Sequence, residues 1–138
     1  MTLSLDSNVA IDLLRGRDLA VRERFMRRVA DEAPIHVSVI VLHELMYGAE
    51  RSARSAEHRA MVGFLLRDMT IEPLSESDAL AAARTRARLG REGRPIGPYD
   101  VLIAGQALNR GWTLATSKVR EFERVEGLRI EDWTRPAP

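Results

Sequence analysis

Short apolar segments alternate with helical segments along the chain, and this alternation restricts the possible folds more than any other feature. Strands are predicted where apolar residues run together between turn residues, at Leu3–Leu5, Ile35–Val39, Thr70–Leu74, Trp112–Thr116 and Leu128–Ile130. Helices are predicted where apolar residues recur at helical spacing, at Val9–Leu14, Asp18–Ala30, Val41–Ala49, Ser55–Asp68, Glu76–Leu89 and Tyr99–Leu108. Such an alternation is typical of an α/β fold with a mainly parallel sheet of four to five strands, covered on both faces.

Length and composition narrow the class of protein further. The 138 residues fit one domain, 1–138, and the absence of cysteine excludes a disulfide framework and a thiolate metal site. The formal net charge of +1 argues against binding of nucleic acid by bulk charge, although it allows a local basic patch. No apolar run approaches the ~20 residues that a membrane-spanning helix needs, so we expect a cytoplasmic protein without a membrane partner.

Three acidic residues lie where a predicted strand ends or a predicted helix begins. Asp6 follows the first strand, Glu44 lies in the first turns after the second strand, and Asp100 follows a Gly-Pro turn at the start of an apolar helix. A helix N-cap or an interaction with a helix dipole would explain any one of them without a functional role. Their number favours a function, because ligand sites in parallel sheets form beyond the carboxyl ends of the strands.

A cluster of these carboxylates needs a cation. Clustered carboxylates repel one another unless a positive charge joins them, and hard divalent ions such as Mg²⁺ or Mn²⁺ prefer oxygen ligands. Such an ion can activate water and stabilise the charge that develops on a phosphate during hydrolysis. The sequence therefore predicts a Mg²⁺ or Mn²⁺ site formed by Asp6, Glu44 and Asp100.

Four segments, in order along the chain, resemble the PIN-domain ribonucleases, and most closely the VapC-type toxins of bacterial toxin–antitoxin pairs. The residues that carry the resemblance are Leu5-Asp6-Ser7-Asn8, Val37-Ser38 to Glu44-Leu45 with Gly48, Ile96-Gly97-Pro98-Tyr99-Asp100 with Ile103-Ala104, and Glu121 to Leu128 with Asp132-Trp133. Each segment is a weak signal alone, whereas four in series over the family's usual length are specific. The resemblance implies a three-layer α/β/α PIN-like fold.

The resemblance also implies an activity and a set of partners. Members of this family are Mg²⁺- or Mn²⁺-dependent endoribonucleases, which hydrolyse a phosphodiester bond of tRNA or ribosomal RNA with metal-activated water. They usually form homodimers. They bind a VapB-type antitoxin that blocks the acidic pocket, and they contact operator DNA only through that antitoxin.

The resemblance assigns roles by position and shows one departure. The metal-holding and catalytic acids correspond to Asp6, Glu44 and Asp100, and the supporting polar residues to Ser7, Asn8 and Thr116. The departure is Lys118, the only lysine among 21 basic residues, where the family usually has Asp or Asn. A protonated lysine cannot bind a metal ion, and its charge opposes a nearby cation. Three roles are open: Lys118 points away from the site, occupies the metal's place and weakens activity, or contacts the RNA phosphate.

A run of arginines leads into Asp100 and is a candidate RNA contact. Arg88, Arg91 and Arg94 are its members closest to Asp100, and arginine suits phosphate because it can donate two parallel hydrogen bonds. A solvated helix face is the equal alternative. The aromatic content of 5% argues against a base-stacking platform. His43 is expected to pack or to face solvent, because adjacent helical residues diverge by about 100° and Glu44 points elsewhere.

Two other functions stay open. The first is a PIN-fold regulatory protein, catalytically weakened by Lys118, that acts through its antitoxin complex. The second is a phosphatase of the haloacid dehalogenase type, which Thr116 and Lys118 fit loosely; Asn8 stands where that family needs a second aspartate. Candidate apolar contacts for an antitoxin are Leu13, Leu14, Met61 and Leu65.

Overall fold

The computed structural model describes residues 1–136 and contains one five-stranded sheet. Its strands are β1 (Leu3–Leu5), β2 (Ile35–Ser38), β3 (Thr70–Glu72), β4 (Thr113–Thr116) and β5 (Arg129–Asp132). They pair in parallel in the order β3-β2-β1-β4-β5, which places β1 at the centre. The parallel sheet confirms the predicted fold class. Residues 137 and 138 of the predicted domain lie outside the described residues.

Helices connect the strands and form two groups. They are α1 (Ser7–Arg15), α2 (Leu19–Ala30), α3 (Val39–Glu50), α4 (Ser55–Leu66), α5 (Glu76–Arg91), α6 (Pro98–Arg110) and α7 (Val119–Phe122). Helix α1 contacts α2, α3 and α4, whereas α5 and α6 pack mainly against each other. Right-handed crossovers put these two groups on opposite faces of the sheet, which gives three layers. Within residues 1–136, no helix is both long and apolar enough to cross a membrane.

The central strands explain why polar residues collect at one edge of the sheet. Leu3 and Leu5 of β1, and Leu114 and Ala115 of β4, are fully buried, as expected for strands covered on both faces. The backbone N–H of Asp6 donates to the carbonyl of Ala115 (2.9 Å), so the ladder continues to the first polar residue after β1. Polar side chains therefore begin where the strands end, at the carboxyl edge.

Close packing of α5 against α6 fixes the helix that carries Asp100. A Cβ atom on Gly105 of α6 would lie 2.5 Å from the Cα atom of Ala82 in α5, so this approach needs glycine. Pro98 occupies the first turn of α6, where its missing N–H group costs no hydrogen bond. Together these features hold the start of α6 at a fixed place beside the sheet.

Most predicted elements differ from the structure by one or two residues at an end, and one helix was not predicted. Helix α5 continues through Gly90 to Arg91, two residues beyond its predicted end at Leu89. Leu89 is buried, and this packing outweighs the ~1 kcal/mol by which glycine disfavours a helix. Helix α7 was not predicted because its four residues are too few to show a helical period; buried Phe122 anchors it.

Candidate active site

The three predicted acids are linked by side-chain contacts at the carboxyl edge of the sheet. Asp6 is the N-cap of α1, Glu44 lies in the second turn of α3, and Asp100 lies in the first turn of α6. Ser7 forms hydrogen bonds with both Asp6 and Glu44. Lys118 forms a hydrogen bond with Asp100, and its charge also acts on Asp6. The site is therefore built by residues that follow β1, β2 and β4, together with the start of α6.

Asp6 is the buried centre of this pocket, with 1% of its surface exposed. Its Oδ1 atom accepts a hydrogen bond from the Ser7 N–H group (2.7 Å), and its Oδ2 atom accepts one from the Thr116 hydroxyl (2.9 Å). The sequence offered two alternatives for Asp6, a helix N-cap and a site residue, and the structure is compatible with both at once. One carboxylate oxygen caps α1, and the other contacts a polar residue at the end of β4.

Glu44 is positioned by Ser7. The Ser7 hydroxyl donates to the Oε1 atom of Glu44 at 2.6 Å, across 37 residues of sequence. Ser38 caps α3 by accepting from the Ile40 N–H group, and no acidic residue occupies the first turn of this helix. Glu44 therefore lies too far into α3 for the helix-dipole alternative, whose effect is confined to the first turn.

Lys118 points into the site. Its Nζ atom donates to the Oδ2 atom of Asp100 at 3.2 Å, which excludes the first of its three open roles. Its backbone N–H donates to the Thr116 hydroxyl oxygen (2.9 Å), the same hydroxyl that donates to Asp6. Thr116 thus fixes the backbone of Lys118 and the carboxylate of Asp6 at once.

The positive charge and the hydrogen bonds at this site do not fully compensate the burial of Asp6. Burial, together with a smaller effect of the Asp100 carboxylate, raises the pKa of Asp6 to about 6, although the Thr116 hydrogen bond and the Lys118 charge oppose the rise. Burial lowers the pKa of Lys118, but the charge of Asp100 and their hydrogen bond outweigh it, so this pKa lies above its ordinary value. Lys118 is therefore an ammonium ion between two acids.

The donor atoms suit a hard divalent cation, although they are not gathered around one point. Within residues 1–136, no three acidic or histidine side chains are placed to hold one metal ion together. Glu44 is bonded to Ser7, and Asp100 is bonded to Lys118. The free donors are carboxylate oxygens, which Mg²⁺ and Mn²⁺ prefer, and the pocket already accepts the positive charge of an ammonium. In this structure the cation next to Asp100 is the Lys118 ammonium.

The remaining predicted residues lie around this centre. Asn8 is half-buried in the first turn of α1, two residues after Asp6. Arg91 ends α5 and Arg94 lies in the loop before α6, so both are exposed at the end of the helix pair that carries Asp100. Arg88 is the least available for phosphate, because its guanidinium donates to Glu92 (3.1 Å) and to the Arg124 carbonyl (3.0 Å).

Sequence reasoning missed two aromatic residues beside the acids. Tyr99 directly precedes Asp100, and Tyr47 lies one turn after His43 in α3. The His43 ring lies 5.3 Å from the Tyr99 ring and 6.5 Å from the Tyr47 ring, centroid to centroid. His43 is exposed, which confirms that it faces solvent. A tyrosine adjoining a candidate acid was the available signal, and the low aromatic content masked it.

A five-stranded parallel sheet with acidic residues at its carboxyl edge has a counterpart in a known protein family. The family described as "PIN domain" matches residues 3–128. The chain belongs to the PIN domain family, and its similar relatives within that family are VapC proteins. It is 43% identical over 134 residues to the "tRNA(fMet)-specific endonuclease VapC" of Shigella flexneri, covering 94% of this chain and 96% of that one.

Solved structures agree with this assignment. The crystal structure of DNA-bound VapBC from Salmonella typhimurium matches with a TM-score of 0.88 and 37% identity, covering 96% of this chain and 98% of that one. VapBC2 from Rickettsia felis, bound to a DNA fragment from the promoter, matches with a TM-score of 0.89 and 27% identity over 96% and 99%. The predicted three-layer PIN fold is confirmed. The family leaves no support for the haloacid dehalogenase alternative.

Proposed function

We propose that this protein is a Mg²⁺- or Mn²⁺-dependent endoribonuclease, acting as the toxin of a VapBC-type module. The observation that carries the proposal is the linked set of Asp6, Glu44 and Asp100, in a chain whose relatives are named tRNA(fMet)-specific endonucleases. The proposed substrate class is accordingly tRNA. The proposed reaction is hydrolysis of a phosphodiester bond.

In this proposal, Asp6, Asp100 and Glu44 would hold the ion, directly or through water. The ion would supply an activated water molecule and stabilise the charge that develops on the phosphate. Thr116 and the Ser7 N–H group orient the Asp6 carboxylate through its two oxygens. The Ser7 hydroxyl orients Glu44, so loss of Ser7 would free that carboxylate to turn away.

Lys118 favours a second candidate function, that of a regulatory protein with weakened catalysis. Its ammonium contacts the Oδ2 atom of Asp100, so an ion at the same oxygen would have to displace Lys118. Its four-carbon side chain is flexible and 37% exposed, so it can leave the pocket without a change in the fold. If the ammonium remains on Asp100, the protein acts as a binding partner of its antitoxin with weak nuclease activity.

A VapB-type antitoxin is the proposed protein partner, since the matched structures are VapBC complexes. A largely apolar groove between α1, α3 and α4 is lined by Leu14, Met61 and Glu44, so a segment bound in it would contact one of the three candidate acids. Leu13 and Leu65, the other candidate contacts, do not line this groove. Like Leu14, they are partly buried and pack against the core. Homodimer formation, and operator binding through the antitoxin alone, remain part of the proposal.

Cleavage of a tRNA transcript tests the proposed function. An initiator tRNA transcript is incubated with the protein in Mg²⁺, in Mn²⁺ and in EDTA. We expect cleavage only with metal, loss of at least a hundredfold in Asp6→Ala and Asp100→Asn, and unchanged cleavage in Asp68→Asn, an exposed acid outside the site.

Cleavage in EDTA, or equal activity of wild type and Asp6→Ala, would contradict the proposal. Wild type without activity in either metal, together with activity in Lys118→Asn, would instead support the weakened binding protein. This comparison separates the two candidate functions within one experiment.

A further inference from the structure

Three exposed rings form a continuous surface beside the acidic pocket. They are His43, Tyr47 and Tyr99, which we call the aromatic rim. The planes of His43 and Tyr47 differ by 16°, so these two rings are nearly parallel, and Tyr99 is tilted by 52° against His43. The rim joins α3 to α6, the two helices that also carry Glu44 and Asp100.

The two tyrosines of the rim are exposed to solvent, as is Phe64 of α4. Tyr47 is 57% exposed and Tyr99 is 47% exposed, whereas Phe122, Trp112 and Trp133 are buried in the core. The chain has only two tyrosines, and both belong to the rim. Core packing therefore does not account for either of them.

The position of the rim connects it to the candidate chemistry. His43 directly precedes Glu44, and Tyr99 directly precedes Asp100. Helices α3 and α6 meet beside these two pairs, where the His43 ring contacts the Tyr99 ring. A strand with a phosphate at the acids would therefore have adjacent nucleotides near the rim, because successive nucleotides are covalently joined. The aromatic rim would therefore contact the bases or sugars of the RNA substrate.

Positive charge borders the rim on both sides. The Arg51 guanidinium lies 5.4 Å from the centre of the Tyr47 ring, and Arg86 of α5 borders the groove that includes Tyr99 and Pro98. Neither arginine forms an ion pair with any residue of the described range, 1–136. Aromatic faces flanked by unpaired arginines are the combination that binds single-stranded nucleic acid, by base stacking and phosphate contact.

We propose that the aromatic rim stacks an unpaired base of the RNA next to the bond that is cut. This inference rests on the proposed function and adds a specificity to it: the RNA must present a single-stranded base at the site, because a base inside a helix cannot reach the rings. His43 and the two tyrosines act as binding residues that position the strand. They take no part in proton transfer.

Binding without cleavage tests the rim. The probe is a fluorescein-labelled 12-nucleotide single-stranded RNA, compared with the same strand in a full duplex, and anisotropy is measured in EDTA. We expect Tyr99→Ala to weaken binding of the single strand by about tenfold, and Tyr47→Ala by a smaller factor, with duplex binding unchanged. Tyr99→Phe should restore single-strand binding, because it keeps the ring.

Phe64→Ala is the matched control. Phe64 is also exposed and also carries an arginine on its face, Arg67 at 3.7 Å, but it lies on α4, which holds none of the candidate acids. We expect this variant to bind the single strand as wild type does. An equal loss in Phe64→Ala and Tyr99→Ala would overturn the inference, since exposed aromatic surface anywhere would then suffice.

Two further results would contradict the proposal that the rim stacks an RNA base. Wild-type binding of the single strand by Tyr99→Ala and Tyr47→Ala would overturn it directly. A change in molar mass of Tyr99→Ala, measured by light scattering, with equal loss of single-strand and duplex binding, would show that the rim is an interface with a second copy of the chain. Failure of the proposed nuclease is distinguishable, because cleavage in Mg²⁺ would then be absent while binding in EDTA still depends on Tyr99.

Discussion

Two buried aspartates of this protein have opposite environments. Asp6 and Asp78 are equally inaccessible, and both lie at the N-terminal end of a helix. Burial would raise the pKa of Asp78, but hydrogen bonds from Arg110, Ser75 and Asn109 hold it well below its usual value. Burial raises the pKa of Asp6 to about 6, because the Thr116 hydrogen bond and the Lys118 charge do not compensate.

The difference separates an acid that is paired within the fold from an acid of the candidate active site. The Arg110 guanidinium lies 2.7 Å from Asp78 and 2.9 Å from Glu72, so Asp78 has a cation of the fold as its direct partner. The ammonium nearest to Asp6 bonds to Asp100 instead. A buried carboxylate left in this state destabilises the folded protein, and a cation from solution would relieve the cost. Shifted pKa values of this kind are typical of functional sites.

Removal of Arg110 should have the largest effect on stability. Arg110→Met leaves the buried Asp78 charge without its cation, and we expect a loss of about 3–5 kcal/mol in the free energy of unfolding, measured with urea at pH 7. Arg84→Met on α5 is the control, because Arg84 is exposed and pairs with no acid in the described residues. A loss below about 1 kcal/mol would mean that Asn109 and Ser75 suffice for Asp78.

Asp6→Asn should act in the opposite direction. A folded-state pKa of about 6 against 3.8 in the unfolded chain corresponds to about 3 kcal/mol of destabilisation, which is complete above pH 6 and absent below pH 3.8. We therefore expect Asp6→Asn, in EDTA, to stabilise the protein by up to about 3 kcal/mol at pH 7.5. The gain should vanish towards pH 4. Destabilisation at pH 7.5 would contradict the account, whereas Asp78→Asn should be destabilised there.

Replacement of Lys118 should change metal binding by a smaller free energy. Without the ammonium on Asp100, we expect Lys118→Asn and Lys118→Asp to bind Mn²⁺ about tenfold more tightly than wild type, or about 1.4 kcal/mol, by calorimetry. Lys118→Arg keeps the positive charge and should stay weak. Equal affinities in wild type and Lys118→Asn would show that the lysine does not compete with the ion.

The smallest effect is expected within the first strand and helix. Ser4 and Ser7 are equally buried, but Ser7 donates to Glu44, whereas the Ser4 hydroxyl has no partner among residues 1–136. Ser7→Ala should cost about 1 kcal/mol, and Ser4→Ala should be neutral or stabilising. Equal thermal shifts for the two variants would remove the structural role of the Ser7 hydroxyl.

Much of this fold could be predicted because hydrophobic periodicity and strand ends are local features. Asp6 and Asp100 were found from the chemistry of their neighbours, and the parallel sheet explains why they converge. The Arg110–Asp78 pair was not found, since its members are 32 residues apart and charged residues are common on helices. The aromatic rim depends on where α3 meets α6. No sequence pattern encodes that crossing.

The contact of Lys118 with Asp100 was likewise beyond the sequence. A lysine side chain has many rotamers, and the sequence left three roles open for Lys118. Its backbone bond to Thr116 fixes where the side chain begins, and the charge of Asp100 selects the direction. The sequence shows that Lys118 replaces the usual Asp or Asn of the family, but only the structure shows that it contacts Asp100.

A side-chain carboxyl titration by NMR tests the central claim most directly, with Asp6 and Asp78 observed in one sample. In EDTA, we predict that Asp6 titrates near pH 6 and that Asp78 stays ionised throughout the range in which the protein is folded. Addition of Mg²⁺ should move the Asp6 midpoint to lower pH and leave Asp78 unchanged. An Asp6 midpoint below 4 in EDTA, or one that Mg²⁺ does not move, would contradict the account.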